Sequence, residues 1–367
     1  MNLPKIIALY LPQFHEIPEN DKWWGKGFTE WTSVRKSKPL FDEHEQPKIP
    51  MNDNYYTLNE QTMRWQAQLA RKYGIHGFCF YHYWFMGKQL LEKPAEILLA
   101  NKNIGINFCF SWANQTWSRT WYGYNKEILI EQKYGSKQDW KKHFDYLIPF
   151  FKDKRYIKIN NMPILVIYQP RDIKKYDEMV SYWKQLAIKN GFKGLYIIET
   201  LSSQRNLYSQ KSDAGFLYEP GFTINNNFIT KFKIKLKSFI DKYLHENNFL
   251  LNIFNYNSIY QEILNRKIIT PSKKIFIGCF VNWDNTARKK MSAYIFRHFS
   301  IQSFEKYIYD IILKSYQNKL EYIFITAWNE WAEGAYLEPD TINKYDYLEC
   351  IKNANYKANK KLFKDKK

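Results

Sequence analysis

Eight short runs of apolar, β-branched and aromatic residues recur along the 367-residue chain, and amphipathic segments separate most of them. Runs that are apolar at nearly every position are typical of strands buried on both faces, as in a parallel sheet. The pattern therefore predicts strands that alternate with helices. The eight predicted strands are Lys5–Leu11, His76–Tyr83, Ile104–Ser111, Pro163–Tyr168, Gly194–Thr200, Ala214–Glu219, Ile275–Val281 and Tyr322–Trp328.

This alternation predicts an α/β fold, a single (β/α)8 TIM-type barrel with enlarged βα loops. The largest predicted loops are Pro12–Thr57, after the first strand, and Gly221–Phe254, after the sixth. An open doubly wound sheet is the alternative, but no Gly-x-Gly-x-x-Gly motif follows the first strand, which disfavours dinucleotide binding. The predicted helices are Leu58–Tyr73, Gln89–Asn101, Lys137–Phe151, Lys175–Asn190, Ile259–Asn265 and Ser303–Gln317.

The chain has no recognisable linker, so we expect one domain over residues 1–367 with a basic C-terminal tail at about 355–367. The four cysteines lack Cys-x-x-Cys spacing, which favours buried, reduced thiols over a disulfide framework or a metal site. No apolar run reaches the ~18 residues of a membrane-spanning helix, and the N-terminus carries no cleavage signature. These features predict a soluble, cytoplasmic protein.

The net charge is +19, from 55 Lys and Arg against 36 Asp and Glu. A solvated, Lys-rich surface is its simplest interpretation. Basic residues cluster only at Lys231–Lys237 and Lys357–Lys367, and no nucleic-acid-binding motif accompanies them, so nucleic acid is not expected as a partner. Peripheral contact of the basic tail with an anionic membrane or a lipid-linked sugar stays open.

Aromatic residues make up 19% of the chain and include 13 Trp, more than a core needs, and aromatic faces suit the apolar faces of sugar rings. Active sites of α/β barrels lie where the strands end. Polar and aromatic residues recur at these ends, which predicts a surface that binds a glycan. The candidate substrate-binding residues are His82, Tyr83, Trp84, Trp112, Asn114, Tyr168, Glu199, Glu219, Trp283, Asp284, Trp328, Asn329, Trp331 and Glu338.

Several of these candidates also have a structural interpretation that the sequence leaves open. His82 can be a core histidine and Trp112 a core aromatic residue. Glu199 and Glu219 can be solvent-facing loop acids, and Asp284 can cap a turn or a helix.

The densest cluster is Thr326–Pro339, in which Glu330 and Glu333 lie among tryptophans. Cleavage of a glycosidic bond uses such a pair, one group to protonate the departing oxygen and one to support the anomeric carbon. Desolvation by Trp328 and Trp331 would raise the pKa of one carboxyl. The alternative is that both glutamates cap the following helix. No recognised metal-ligand spacing occurs, so neither a metal nor a cofactor is expected.

Six motifs carry a family resemblance. They are Ala8–His15, Trp23–Trp31, Gly77–Trp84, Phe110–Asn114, Trp283–Arg288 and Trp328–Gly334. Together they resemble the WbsX-type proteins, which are glycoside hydrolase family 99-like proteins found with bacterial O-antigen, capsule and other surface-polysaccharide genes. The resemblance covers roughly residues 4–350.

The resemblance implies a metal-independent (β/α)8 enzyme that acts on α-linked, mannose-like glycans. It implies retention of anomeric configuration through a 1,2-anhydro sugar, with Glu330 as the base that deprotonates the sugar 2-hydroxyl and Glu333 as the general acid/base. The family commonly has His where Ala332 stands here.

Three functions stay open at this point. The first is a retaining glycosidase or transglycosidase in surface-polysaccharide metabolism. WbsX-type proteins are often labelled glycosyltransferases, so the second is a transferase that uses a nucleotide-sugar or lipid-linked donor, although the sequence has no phosphate cradle and no metal-binding Asp-x-Asp. The third is a non-catalytic glycan-binding protein.

Overall fold

The structure is a computed structural model that describes residues 2–119, 127–203, 207–227, 251–267 and 273–363. Part of the predicted loop Gly221–Phe254 lies outside the described residues, and so do the basic cluster Lys231–Lys237 and the last four residues of the predicted tail.

Eight parallel strands form a closed barrel in which each strand pairs with the next one along the chain. The first strand also pairs with the last, with Lys5 opposite Tyr322 and Ala8 opposite Ile325, and this pairing closes the sheet. The predicted (β/α)8 barrel is therefore confirmed. Its strands are β1 (Lys5–Tyr10), β2 (Ile75–Phe85), β3 (Asn107–Trp112), β4 (Met162–Ile167), β5 (Tyr196–Leu201), β6 (Ala214–Leu217), β7 (Lys274–Phe280) and β8 (Tyr322–Thr326).

Helices follow seven of the eight strands, and the described residues between β5 and β6 contain none. Local capping sets several of the helix starts: Asn59 accepts a hydrogen bond from the Thr62 backbone N–H, and Ser300 accepts one from the Ser303 N–H. The helices are α1 (Pro18–Trp24), α2 (Glu30–Arg35), α3 (Glu60–Lys72), α4 (Lys93–Ala100), α5 (Lys137–Phe151), α6 (Tyr176–Lys189), α7 (Gly221–Asn226), α8 (Tyr256–Asn265), α9 (Thr286–Lys289), α10 (Ile301–Gln317) and α11 (Asp346–Phe363).

Two segments differ from the sequence-based expectation. The helix expected at Gln89–Asn101 begins only at Lys93, because Lys88–Leu90 pairs antiparallel with the end of β2 and Pro94 lies in the first turn of the helix. The basic segment expected as a tail from about residue 355 continues α11 as far as Phe363. This helix is retained because Ile351, Ala354 and Ala358 are buried on its inner face.

Short turns and short strand pairs lie outside the eight barrel strands and the helices. Short 3-10 turns lie at Met51–Asp53, Pro170–Asp172, Lys290–Ser292 and Trp331–Glu333. The additional strand pairs are Trp117–Ser118 with Ile128–Ile130, Asn252–Asn255 with Tyr294–Arg297, Asn329–Glu330 with Ala335–Tyr336, and Lys158–Ile159 with the start of β4. Within the described ranges, every helix is too short or too polar to cross a lipid bilayer.

Candidate active site

A cavity of about 230 Å³ opens at the carboxyl ends of the barrel strands. Its wall is formed by residues within or just after β1, β2, β3, β4, β6, β7 and β8, so it lies at the face where α/β barrels carry their active sites. The wall combines two carboxylates, one guanidinium and a large aromatic surface. The aromatic residues are Trp24, Tyr81, Tyr83, Trp117, Tyr168, Tyr218 and Trp283.

Arg288 connects the two candidate catalytic carboxylates. Its Nη1 donates to Oε1 of Glu333 over 2.6 Å, and its Nη2 donates to Oε2 of Glu330 over 2.9 Å. The same Nη2 also donates to Oε1 of Glu30 over 2.5 Å. Three carboxylates therefore share one guanidinium at the base of the cavity, and the geometry brings Glu330 and Glu333 side by side.

The loop that carries this pair is fixed to the first strand. The side-chain amide of Asn329 accepts a hydrogen bond from the Leu11 backbone N–H and donates one to the Leu11 carbonyl, over 2.7 and 2.9 Å. The amide of Asn329 thereby pairs with Leu11 in the way that a peptide group of a neighbouring strand would. Because Glu330 follows directly in the chain, this pairing determines where its carboxylate lies.

A second contact joins the loops that follow β7 and β8. The Asp284 backbone N–H donates to the carbonyl of Glu333 over 2.7 Å. The next residue, Gly334, has φ of 60°, and a Cβ there would come within 2.9 Å of the Asp284 nitrogen. Only glycine allows both the left-handed turn and this approach. The contact holds Arg288, four residues after Asp284, against both carboxylates.

Burial raises the pKa of Glu330 and of Glu333 above the ordinary value of a glutamate. The positive charge of Arg288 opposes this rise, while the neighbouring carboxylates, Glu30 among them, increase it. A buried pair of this kind retains a proton more readily than two exposed glutamates, and acid–base catalysis needs one protonated and one ionised carboxyl.

The structure brings five of the sequence-predicted site residues to the cavity wall, namely Tyr83, Tyr168, Trp283, Glu330 and Glu333. The strand ends pointed neither to Glu30, which is buried behind the wall, nor to several residues that line the cavity. Glu30, Arg288 and Tyr81 all belong to motifs on which the family resemblance rests, so motif membership was the available signal. The other missed wall residues include Gln13, Trp24, Gln115, Trp117 and Tyr218.

His82, Trp84 and Trp112 do not line the cavity, and strand geometry explains why. Side chains alternate between the two faces of a strand, so Tyr81 and Tyr83 point into the barrel mouth while His82 points outward. His82 Nε2 lies 2.8 Å from His143 Nε2 on α5. Burial lowers the pKa of His82 to about 3, which keeps it neutral. The stacking of Trp84 on the His143 ring, 4.6 Å between centroids, completes an outer aromatic layer that includes Trp112.

Four polar candidates support loops and do not line the cavity. Glu199 accepts hydrogen bonds from the backbone of Tyr208 and Ser209 and from the Ser212 hydroxyl. Glu219 is fully buried and paired with Arg266 over 2.6 Å.

Asn114 uses its amide to bond both the N–H and the carbonyl of Gln169, as Asn329 does with Leu11. Asp284 accepts hydrogen bonds from Gln46 Nε2, from the Thr286 hydroxyl and from His44. The Nδ1 of His44 accepts from the Leu40 N–H, so its Nε2 is the donor to Asp284.

Trp328, Trp331 and Glu338 lie behind the cavity wall. Trp328 is fully buried against Phe78, with 5.0 Å between ring centroids. Glu338 accepts hydrogen bonds from Trp331 Nε1 and the Tyr56 hydroxyl, at 2.7 and 2.8 Å. Burial raises its pKa to about 7. Glu338 and Trp331 border a separate cavity of about 410 Å³.

No group of three or more His, Cys, Asp and Glu side chains is arranged to hold a metal ion within the part of the chain that the structure describes. The four cysteines are buried, and none of them forms a disulfide.

Comparison with known proteins identifies the family. The family model described as glycosyltransferase WbsX matches residues 6–351. A protein described as uncharacterized protein WxcX, from Xanthomonas campestris pv. campestris strain B100, is 32% identical over 361 residues, which cover 96% of this chain and 50% of that protein. The chain thus spans about half the length of the curated relatives it matches.

Two solved structures share the barrel. The glycoside hydrolase family 99 endo-α-mannosidase from Bacteroides thetaiotaomicron matches with a TM-score of 0.56 at 14% identity, over 97% of both chains. A structure described as a glycoside hydrolase-like protein matches with a TM-score of 0.57 at 13% identity, over 96% of this chain and 94% of the other. These matches show the fold, and the family match confirms the resemblance found in the motifs. The chain therefore belongs to the WbsX family, and its barrel is similar to those of the two glycoside hydrolase structures.

Proposed function

We propose that this protein is an enzyme that cleaves or transfers an α-linked, mannose-like glycan by retaining chemistry at Glu330 and Glu333. The observation that carries the proposal is the position of these two carboxylates, side by side on the wall of the barrel cavity and joined through Arg288. Glycosyl cleavage and transfer both need an acid and a base at one anomeric carbon.

The two carboxylates differ in a way that suits different roles. The side chain of Glu333 is 13% exposed and that of Glu330 is 5% exposed. A general acid/base exchanges its proton with the departing oxygen and then with water, so the more accessible Glu333 takes that role. Glu330, deeper in the wall, is the base for the sugar 2-hydroxyl, as the family resemblance implies. The intermediate would be a 1,2-anhydro sugar.

The cavity wall suits a sugar. Trp283 offers an aromatic face to the apolar side of a pyranose ring, while Tyr83 and Tyr168 combine aromatic surface with hydroxyls that hydrogen-bond to sugar hydroxyls. We assign substrate contact to these three residues. The remaining candidates fix the loops, as Asn114, Asn329 and Asp284 do, or pack behind the wall.

The charge of the wall bears on the choice between donors. Arg288 is occupied by three carboxylates, so its charge is already compensated and is poorly suited to a pyrophosphate. This favours a neutral glycan over a nucleotide-sugar donor in this cavity.

Within this proposal, transfer is supported alongside cleavage because the matching family model is described as a glycosyltransferase. The same Glu330–Glu333 chemistry transfers a sugar when an acceptor hydroxyl replaces water. A role in surface-polysaccharide or O-antigen metabolism follows from the resemblance and stays a prediction. The cytoplasmic location, the contact with an anionic membrane or lipid-linked sugar and the absence of a cofactor also stay predictions.

Mass spectrometry with 18O-labelled water tests the proposal. The protein is incubated with a panel of α-linked oligosaccharides, with and without nucleotide sugars, and Glu330→Gln serves as the inactive control. Label at a new reducing end without a nucleotide identifies a hydrolase. Unlabelled, rearranged oligosaccharides without a nucleotide identify a transglycosidase. Elongation only with released nucleotide would contradict the proposal, and a bound but unreacted glycan would support a non-catalytic binding protein.

A further inference from the structure

Glu30 is a third carboxylate in the cluster, and the roles assigned above leave it without a function. It lies at the start of α2, in the long loop region after β1, 258 positions before its partner Arg288. Its side chain is completely buried, and it does not line the cavity. Its Oε2 has no hydrogen-bond partner in the described structure. An ionised carboxylate is costly in such surroundings unless nearby positive charge compensates it.

The charge balance of the cluster is uneven. Three carboxylates, from Glu30, Glu330 and Glu333, face two cations, Arg288 and the half-buried Lys289, whose charge favours ionised Glu333. With every group ionised, the cluster carries one surplus negative charge in a poorly solvated place. One bound proton neutralises it. Without Glu30, the two remaining carboxylates and the two cations would balance, and no proton would be required.

We propose that Glu30 is a positioning residue that keeps one proton on the Glu330–Glu333 pair at neutral pH. It does so because its negative charge is the one that Arg288 and Lys289 leave uncompensated. This inference rests on the proposed function, in which that proton is the one that Glu333 gives to the departing oxygen. Glu30 acts only through Arg288 and the charge of the cluster, because it has no place on the cavity wall.

Two elements that pack against α2 supply the other charged groups of the cluster. The helix α9 supplies Arg288 and Lys289, and the turn after β8 supplies Glu330 and Glu333. The neighbouring tyrosines Tyr81, Tyr168 and Tyr218 have raised pKa values, chiefly because they are buried, so they stay neutral near pH 7 and add no charge.

The experiment is a 13C NMR titration of the side-chain carboxyls in the full chain labelled at the glutamate δ carbons, with resonances assigned by Glu330→Gln and Glu333→Gln. The titration needs no substrate, so its result tests the role of Glu30 whether or not glycan turnover is found. In Glu30→Gln we expect the pair to lose its proton at a pH lower by about one unit or more. Asp153→Asn, which breaks a buried pair with Arg155 near the start of β4, is the matched control and should leave the titration unchanged.

A second variant keeps the test decisive if Glu30→Gln fails to fold. Lys289→Met removes one cation and leaves the three bonds of Arg288 in place, so the pair should keep its proton to higher pH. An unchanged titration in a folded Glu30→Gln protein would overturn the proposal, since the charge of Glu30 would then have no influence on the proton of the pair. A Lys289→Met titration that does not move upward would overturn the charge balance on which the proposal stands.

Discussion

The side-chain amide of Asn329 hydrogen-bonds both the backbone N–H and the carbonyl of Leu11. Asn114 makes the same two-bond pairing with the backbone of Gln169. The barrel thus contains the same pairing of an asparagine amide with a backbone peptide unit twice, once next to Glu330 and once between the loops that follow β3 and β4. This repetition provides a matched pair of variants.

Asn329→Asp and Asn114→Asp should each lower the free energy of unfolding by about 1–3 kcal/mol, because the donor is lost and a carboxylate then faces a carbonyl. Only Asn329→Asp should also lower kcat, by roughly tenfold or more, because Glu330 follows it directly. Denaturant unfolding and steady-state kinetics check both statements. An equal loss of kcat in the two variants would show that Asn329 has no special relation to catalysis.

Trp283 and Trp112 should respond differently to replacement by phenylalanine. Trp283 lines the cavity, so Trp283→Phe should raise KM several-fold with little change in the melting temperature. Trp112 is buried against His143 and Trp183, outside the cavity, so Trp112→Phe should lower the melting temperature and leave KM unchanged. A rise of KM in Trp112→Phe alone would contradict the assigned cavity wall.

Glu338 should make the protein less stable as the pH rises. Burial raises its pKa to about 7 in the folded state, above the value of 4.5 for an ordinary glutamate. A group raised in this way contributes stability that is fully present below about pH 4.5 and is lost as the pH rises through about 7. The full difference corresponds to on the order of 3 kcal/mol.

Urea unfolding at pH 5 and pH 8 measures this effect in the wild type and in Glu338→Gln. The variant loses an acceptor for Gln66, so it should be less stable than the wild type at pH 5. The difference between the two proteins should shrink at pH 8, where the wild-type carboxylate is ionised. A difference that stays constant or grows between pH 5 and pH 8 would mean that Glu338 is ionised throughout.

The barrel was predictable because its strands are buried on both faces and alternate with helices, while the glycine motif that would favour the open doubly wound alternative is absent. In β8, all five residues from Tyr322 to Thr326 are buried. Helix α11 was not predicted, because after Ile351 its buried face has only the small residues Ala354 and Ala358, and its lysines dominate the pattern.

The site was only partly predictable, for two physical reasons. Tyr81, His82, Tyr83 and Trp84 are all aromatic or polar, so the sequence does not indicate which alternate positions face the barrel mouth. The second reason is distance along the chain. Glu30 meets Arg288 through loop packing across 258 positions, and no local pattern relates them.

The acid role of Glu333 is the central claim, and the dependence on the leaving group tests it most directly. Rates of Glu333→Gln, Glu330→Gln and the wild type are compared on an α-linked oligosaccharide found by the 18O screen and on an activated aryl α-glycoside of the same sugar. An aryl group departs without a proton, so Glu333→Gln should lose roughly 100-fold more activity on the oligosaccharide than on the aryl glycoside. Glu330→Gln should lose activity equally on both. An equal loss on both substrates in Glu333→Gln would contradict the acid role.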